Sequence, residues 1–262
     1  MLIFYINLDR RPDRREFMAA QLAGLGLAGE RIAALTPREL TPEQLSRFCD
    51  PVRGGRLTPV TLSCKLSHIA ALEAFLATEA RYGLVLEDDA ILSPRLPGFL
   101  AALEADPQTI DLLRLETSLR GIRFRRIERR LAGVALVRPL SWEGGAAAYV
   151  VSRAAAEQHI RDPRMRRRND LSLFDPFRGT MLGGLRQTDP GLCIQAHLLE
   201  PSMAPQFGSD IGGQAVPTAL SLGQRRRRHL EEFVDREIVY GSRRLWHQLL
   251  GAKKHRIPFA AD

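Results

Sequence analysis

The sequence has few lysines, few aromatic residues and no long apolar run. Lysine occurs three times against 35 arginines, and aromatic residues make up 6% of the 262 residues. Arginine clusters suit nucleic-acid phosphates, but the low aromatic content and the lack of a zinc-finger, recognition-helix or ribonucleoprotein motif argue against that class. No window reaches the roughly 18 uninterrupted apolar residues of a membrane-spanning helix.

Cysteine is also scarce, and its spacing argues against a disulfide framework. Cys49, Cys64 and Cys193 are odd in number and far apart, which predicts free thiols in a reducing compartment. A secretory signal peptide carries positive charge before its apolar region, whereas MLIFYINLDRR is apolar first. We therefore expect a cytoplasmic protein, free in solution or peripheral on the inner membrane.

The composition is that of a globular protein with unevenly placed charge. Hydrophobic residues make up 45% and charged residues 26%, which excludes disorder as the main state. Of the net charge of +8, +5 falls in residues 224–262, where the run Arg225 to Arg228 begins a basic stretch. We expect residues 223–262 to form a basic amphipathic helical tail that contacts an anionic membrane surface, or else a solvated helix.

Short apolar runs alternate with helical patterns along residues 1–222. Leu2 to Leu8 and Gly83 to Leu86 are typical of buried strands, and helical spacing follows the first and precedes the second. Further strands are expected at 111–115, 134–137 and 146–151. The alternation predicts one α/β domain over residues 1–222 with a mostly parallel central sheet.

The sharpest motif directly follows the second strand. Glu87, Asp88 and Asp89 are consecutive carboxylates that repel one another unless a cation or donors offset them. Ligands of open α/β sheets bind at the carboxyl ends of strands, and Mg²⁺ or Mn²⁺ takes carboxylate oxygens together with substrate phosphates. The motif therefore indicates either a metal site that neutralises a diphosphate or a solvated turn with Asp89 capping the next helix.

Two more segments carry polar groups suited to a ligand. Asn7, Arg11 and Arg14 stand at the start of a predicted helix, where backbone amides and guanidinium groups bind phosphate. No glycine-rich phosphate loop is present, which removes the commonest dehydrogenase and NTPase classes. Cys64 lies one helical turn before His68, but nothing marks the thiol as an activated nucleophile, and a histidine there is more often structural.

The motifs taken together resemble glycosyltransferase family 25, which includes bacterial lipopolysaccharide glycosyltransferases and collagen galactosyltransferases. The resemblance is carried, in order, by INLDRRPDRRE, CKLSHIAAL, LVLEDDA, GGAAAYVVSR, Phe174-Asp175 and Gly208-Ser209-Asp210-Ile211. The chain departs from the family pattern at Ser63, before the cysteine, and at Gly145, where the family has threonine.

The resemblance implies a GT-A type, Rossmann-like fold, a Mn²⁺ or Mg²⁺ ion and a UDP-hexose donor. It implies transfer of a hexose, typically galactose, with inversion, to a lipopolysaccharide or another cell-surface glycan. The residues it places at the donor are Asn7, Arg11, Arg14, Ser67, His68, Glu87 and Asp88.

The same resemblance assigns the metal and the catalytic groups. Asp89 and Asp88 are the expected metal ligands, and Asp89 and Asp175 the expected catalytic residues. Asp175 is the candidate base for the acceptor hydroxyl, or else a structural residue that caps the turn at Pro176. An inactive family member that acts as a scaffold is the remaining alternative, given the changes at Ser63 and Gly145.

Overall fold

The structure is a computed structural model of the whole chain. It describes residues 1–50, 57–141, 144–161, 167–176, 184–207, 222–223, 233, 241–249 and 251–262. The expectations for Gly208-Ser209-Asp210-Ile211 and for the cluster Arg225 to Arg228 lie outside the described residues.

Strands and helices alternate through most of the described chain. The strands are β1 (Leu2–Asn7), β2 (Glu30–Ala33), β3 (Tyr82–Glu87), β4 (Ala90–Leu92), β5 (Leu112–Arg114), β6 (Gly121–Phe124), β7 (Ile127–Leu131), β8 (Val134–Val137), β9 (Ala148–Ser152), β10 (Leu185–Asp189), β11 (Cys193–Gln195) and β12 (Lys253–Arg256). The helices are α1 (Pro12–Gly24), α2 (Pro42–Gln44), α3 (Pro59–Leu76), α4 (Leu96–Ala105), α5 (Arg153–Arg161), α6 (Asn169–Phe174), α7 (Ala196–Leu199), α8 (Ala204–Phe207) and α9 (Gly241–Leu249).

One large mixed sheet forms the centre of the fold, in the order β2-β1-β3-β9-β5-β10-β8-β7. β1 is parallel to β2 and β3, and β5 is parallel to β10. β9 runs antiparallel to β3 and β5, and β8 runs antiparallel to β10 and β7. Six of these eight strands therefore point the same way, which confirms the α/β class and the mostly parallel sheet.

Helices cover both faces of the sheet, because successive side chains of a strand point to opposite sides. One face packs against α1 and α4 through a cluster that includes Ile3, Leu84, Met18, Leu22 and Phe99. The other face packs against α3 and α5 through Phe4, Val85, Leu72, Phe75 and Ala156. Both faces of β1 and β3 are buried, which explains why these strands are apolar at nearly every position.

The end of the chain differs from the helical tail expected for residues 223–262. α9 is a helix, but β12 follows it and pairs antiparallel with β6. Ile257 then packs against Ile122 and Phe124, and Ala260 joins the main core. Burial of these apolar side chains stabilises the chain more than a longer helix through the charged run KKHR would. Residues 251–262 are therefore part of the folded domain. No helix in the described ranges is long and apolar enough to cross a membrane.

Candidate active site

The three consecutive carboxylates lie at the carboxyl end of β3, in the turn that leads into β4. β1 ends beside them, since Ile6 is paired with Glu87 in the parallel register. Asn7 is thereby placed next to Asp88, and its Nδ2 donates to Asp88 Oδ2 at 2.7 Å. β4 begins directly after Asp89, so Asp89 does not cap a helix as one interpretation of the sequence had it.

Asp88 is held from two sides by residues that the sequence places at the donor. Arg14 of α1 donates to Asp88 Oδ1 at 3.3 Å, and Asn7 holds the other oxygen. Burial raises the pKa of Asp88, while the hydrogen bond from Asn7 and the charge of Arg14 act in the opposite direction. Arg31 of β2 in turn donates to Asn7 Oδ1 at 3.0 Å, which fixes the orientation of the amide.

Asp89 is the least satisfied carboxylate of the turn. The residue is 6% exposed, and Gln195 Nε2 donates to its Oδ2 at 3.2 Å. Its Oδ1 is buried and has no hydrogen-bond partner in the described part of the chain. Burial raises the pKa of Asp89 well above its usual value, and the charges of Glu87 and Asp88 raise it further.

These properties fit a divalent cation. A buried carboxylate oxygen without a donor is costly, and a cation removes that cost and the repulsion within the turn. Hard cations such as Mg²⁺ and Mn²⁺ prefer oxygen ligands of this kind. The donor set is therefore consistent with Asp89 as the main metal ligand and Asp88 as its oriented neighbour.

Glu87 is linked to α3 through His68. His68 Nε2 lies 3.1 Å from Glu87 Oε1, and His68 Nδ1 lies 3.2 Å from the Tyr149 hydroxyl of β9. Burial lowers the pKa of His68 to about 4, so the imidazole is neutral near pH 7. Burial and the negative charges of Asp88 and Asp170 raise the pKa of Glu87 to about 7.

A cavity of about 210 Å³ opens beside the acidic turn. Its polar lining includes Arg10, Arg14, Ser67, His68, Glu87, Asp88 and Asp89. Its apolar lining includes Ile6, Leu8, Ala34, Leu35, Pro37 and Val60. A lining with both charged and apolar side chains suits a ligand that has both phosphates and a flat ring.

Most of the donor residues expected from the sequence meet at this cavity. Ser67 lines it, and its hydroxyl donates to the Ser63 carbonyl at 2.8 Å while accepting from the Leu35 amide. Arg11 is outside the lining that the structure describes. Its guanidinium binds both carboxylate oxygens of Asp13 and also the Gln206 carbonyl.

Asp175, the expected base, lies at the C-terminal end of α6. It is buried, and Arg167 NH1 lies 3.8 Å from its Oδ2. It is not among the described residues that line the cavity. Lys65 of α3 holds α6 in place by donating to Ser172 Oγ and to the Arg167 carbonyl, each at 2.9 Å. The assignment of Asp175 as the base stays a prediction.

Sequence reasoning missed a further buried carboxylate, Glu116, which follows β5. Its Oε2 accepts from the Ala147 amide at 3.0 Å and lies 3.3 Å from Arg114 NH2. Its Oε1 has no partner in the described part of the molecule. Gly145 has φ +101°, and a Cβ there would collide with Glu116 Oε1, so the site requires glycine. The departure from the family's threonine was the one sequence signal for this contact.

An α/β domain with buried carboxylates and a cavity at the carboxyl ends of β1 and β3 is typical of enzymes that bind a ligand at strand ends. The chain belongs to glycosyltransferase family 25 (LPS biosynthesis protein), whose family model matches residues 1–161. The GT-A type, Rossmann-like α/β fold expected for this family agrees with the sheet order.

Among curated relatives, the lipooligosaccharide biosynthesis protein lic2B of Haemophilus influenzae is 27% identical over 76% of this chain and 77% of its own length. The inactive glycosyltransferase 25 family member 3 of Homo sapiens is 34% identical over 43% of this chain. Procollagen galactosyltransferase 1 of Danio rerio is 27% identical over 66% of this chain. The chain spans only 21% and 30% of the lengths of these two animal proteins.

One solved structure, the crystal structure of mannose-1-phosphate geranyltransferase from Thermus thermophilus, aligns with a TM-score of 0.28 and 15% identity. The alignment covers 79% of this chain and 61% of that one, and a likeness this weak carries no argument.

Proposed function

We propose that this chain transfers a hexose, galactose in the first instance, from a UDP-sugar to a lipopolysaccharide or another cell-surface glycan, with a divalent metal and with inversion. The observation that carries the proposal is that Asp89 Oδ1, beside two further carboxylates, has no hydrogen-bond partner among the residues that the structure describes. The family and the lic2B relative support the acceptor class.

The donor fits the cavity with its diphosphate at the acidic turn. Arg14 and Arg10 supply positive charge to the cavity, and apolar lining residues such as Leu35 and Pro37 suit the uracil ring. Mn²⁺ or Mg²⁺ held by Asp89 and Asp88 would act as a Lewis acid on the leaving diphosphate. Asn7 and Arg14 each hold one oxygen of Asp88 and so orient its carboxylate.

The acceptor hydroxyl needs a base on the side away from the diphosphate. We keep Asp175 as the proposed base because of its place in the second half of the chain. Asp170 is the competing carboxylate: it acts electrostatically on Glu87 and Cys64, and Arg168 holds it in a two-point ion pair. Comparing turnover in Asp175→Asn and in Asp170→Asn decides which of the two carboxylates is the base.

The decisive experiment for the function is transfer from a panel of UDP-sugars, with Mn²⁺, with Mg²⁺ and with chelator. Activity with UDP-galactose that depends on metal supports the proposal. Activity without metal removes the metal from it, and transfer from a different donor replaces galactose. The absence of donor hydrolysis, of transfer and of UDP binding would favour an inactive scaffold, and the human relative is named as an inactive glycosyltransferase.

A basic ribbon on the surface supports binding of the protein to an anionic membrane. The ribbon is the pair β6–β12 with the residues that flank β6, and its cations are Arg120, Arg123, Arg125, Arg126, Lys253, Lys254 and Arg256. None of them has an ion-pair partner within the described ranges. Arg123 lies directly opposite Lys254 in the register, an arrangement that destabilises a sheet unless anions offset it.

The helix just before β12 adds apolar surface to the ribbon's charge. Leu245, Trp246 and Leu249 of α9 are 58%, 61% and 73% exposed. Exposed leucine and tryptophan next to clustered cations are typical of segments that lie at the surface of an anionic bilayer. We therefore propose that the ribbon and α9 hold the enzyme on the inner leaflet, beside a lipid-linked acceptor.

A further inference from the structure

The cavity contains a second group of metal-ligating atoms, separate in chemistry from the oxygen ligands Asp88 and Asp89. Cys64 and His68 lie one turn apart on α3, and Glu87 ends β3 opposite them. One ligand atom from each residue lies within 4.8 Å of the other two. Ligand atoms around one tetrahedral Zn²⁺ lie closer together than this limit, so binding one ion would need only small rotations of the three side chains.

The surroundings of His68 favour its use as a ligand. Its Nδ1 lies 3.2 Å from the Tyr149 hydroxyl, and its ring lies near the Tyr149 ring, with centroids 5.8 Å apart. A second hydrogen-bonded partner on the far ring nitrogen is what orients ligating histidines in metal sites. With Nδ1 next to the tyrosine hydroxyl, the other nitrogen, Nε2, lies 3.1 Å from Glu87 Oε1.

We propose that Cys64, His68 and Glu87 bind Zn²⁺, and that Zn²⁺ bound there blocks the donor cavity. Sulfur and imidazole ligands select Zn²⁺ over Mg²⁺ and Mn²⁺, which prefer oxygen. Three protein ligands leave the fourth position open to the cavity, as in zinc sites that bind water or a small ligand. Binding replaces the thiol proton of Cys64, and any proton on His68 Nε2, and these protons go to the buffer.

The position of Glu87 explains why this ion would inhibit. Glu87 is adjacent in sequence to Asp88 and Asp89, so an ion on its carboxylate brings a second positive charge into the acidic turn. Mn²⁺ or Mg²⁺ at Asp89 would then be repelled, and the ion itself would occupy the cavity that the donor needs. The binding claim stands without the proposed function, while the inhibition rests on it.

Cobalt provides a direct probe, because Co²⁺ replaces Zn²⁺ and reports a thiolate ligand by a charge-transfer band in the near ultraviolet. We expect the full chain to bind one Co²⁺ with this band and with the visible bands of four-coordinate cobalt, and to release it to Zn²⁺. Cys64→Ser should lose the charge-transfer band. Cys49→Ser is the matched control and should keep it, since Cys49 does not line the cavity.

Two further variants test the geometry. His68→Gln should weaken Zn²⁺ binding, and Tyr149→Phe should weaken it by about 10-fold or more while the buried ring stays in place. The absence of the thiolate band in the unaltered protein, or the same band in Cys64→Ser, overturns the proposal. Equal Zn²⁺ affinity in His68→Gln also overturns it.

Inhibition is measured separately, through UDP binding in the presence of Mn²⁺. We expect Zn²⁺ to weaken UDP binding in the unaltered protein and in Cys49→Ser, but far less in Cys64→Ser. A thiolate band without any effect on UDP binding would remove the inhibition and leave the zinc site intact. No Mn²⁺-dependent UDP binding in any variant would count against the proposed function alone.

Discussion

Asn7 Nδ2 donates to Asp88 Oδ2 at 2.7 Å, and this contact joins the end of β1 to the acidic turn after β3. Arg14 donates to the other oxygen of Asp88, so both oxygens of that carboxylate already have partners. Asp89 is different, because its Oδ1 has none in the described residues. Asp88 and Asp89 therefore differ although they are adjacent in sequence: the protein orients Asp88, whereas Asp89 keeps an oxygen that suits the proposed cation.

Asp89→Asn tests this division of roles. We expect Mn²⁺-dependent UDP binding to be lost, because the amide brings no negative charge to the ion. The metal-free variant should at the same time be more stable by about 0.5–2 kcal/mol, since a buried, repelled carboxylate is gone. Calorimetric titration with UDP and urea unfolding measure the two effects. Glu157→Gln, which removes a half-buried carboxylate on α5 that is not among the residues lining the cavity, is the control.

Unaltered UDP affinity in Asp89→Asn, both with and without Mn²⁺, would rule out the metal site. A loss of stability in the metal-free variant would contradict the prediction, because it would mean that the hydrogen bond from Gln195 to Asp89 Oδ2 outweighs the cost of the buried charge.

Glu87 predicts a pH-dependent stability of the metal-free protein. Its pKa is raised to about 7 in the folded state from a usual 4.5, so between these values the folded state binds more protons than the unfolded state. Stability therefore falls as pH rises through this window. His68 acts the other way. Its pKa is lowered from 6.5 to about 4 in the folded state, so its contribution to stability rises with pH between these two values.

The two effects are separated by working above the unfolded pKa of histidine. Above about pH 7 histidine in the unfolded state is mostly deprotonated, so the His68 contribution changes little, and we expect the melting temperature of the metal-free protein to fall between about pH 7 and 8. Glu87→Gln should flatten this fall, and saturating Mn²⁺ should reduce it in the unaltered protein. An equally steep fall in Glu87→Gln would show that another group titrates in this range.

Asp175→Asn tests the assignment of the base. We expect kcat to fall by about 10² to 10⁴-fold, because a proton acceptor is removed, while UDP affinity with Mn²⁺ stays the same. Asp170→Asn is the comparison, since both carboxylates belong to α6 or its end. Normal turnover in Asp175→Asn together with a large loss in Asp170→Asn would transfer the role to Asp170.

Local sequence was sufficient for the parts of the fold that are built from neighbours in the chain. The apolar run at Leu2 to Leu8 and the run before Glu87 are strands, because a strand buried on both faces must be apolar throughout. The acidic motif directly follows the second apolar run, so the sequence also predicts its place at a strand end. β4 was missed because its three residues pair with β11, a partner about a hundred residues away.

The contacts that shape the site join distant segments, and local patterns do not encode them. Tyr149 contacts His68 because β9 runs antiparallel beside β3, and no pattern in the sequence predicts that pairing. Lys65 and Glu116 are charged residues that are buried, and the sequence around them does not predict their burial. The amphipathic pattern of residues 223–262 predicts a helix throughout. Ile257 instead packs in a hydrophobic cluster with Ile122 and Phe124, and β12 pairs with β6.

Gly145 predicts a strict requirement for glycine that its neighbour does not share. Gly145→Ala should destabilise the protein by about 1–3 kcal/mol, because φ is +101° and the added Cβ would collide with Glu116. Gly144→Ala is the matched control: its Cβ would lie 3.8 Å from Asp170 Oδ2, an ordinary contact. Urea unfolding measures both. Similar stability in the two variants would contradict the backbone conformation described at Gly145.

The basic ribbon predicts salt-sensitive binding to anionic vesicles. The double variant Arg123→Gln, Lys254→Gln removes two cations that face each other across β6 and β12. We expect its affinity for phosphatidylglycerol vesicles to fall roughly 30-fold, at about 1 kcal/mol for each cation near the surface. The same variant should be slightly more stable than the unaltered protein, because a repulsive cross-strand pair is gone.

The double variant Arg15→Gln, Arg161→Gln is the control for the ribbon, since it removes the same charge from α1 and α5. It should bind vesicles almost as well as the unaltered protein, because binding follows the local density of cations and not the net charge. Equal losses in the two double variants would mean that only net charge matters. Tighter binding of the unaltered protein to duplex DNA than to vesicles at the same salt would favour a nucleic-acid partner for the ribbon instead.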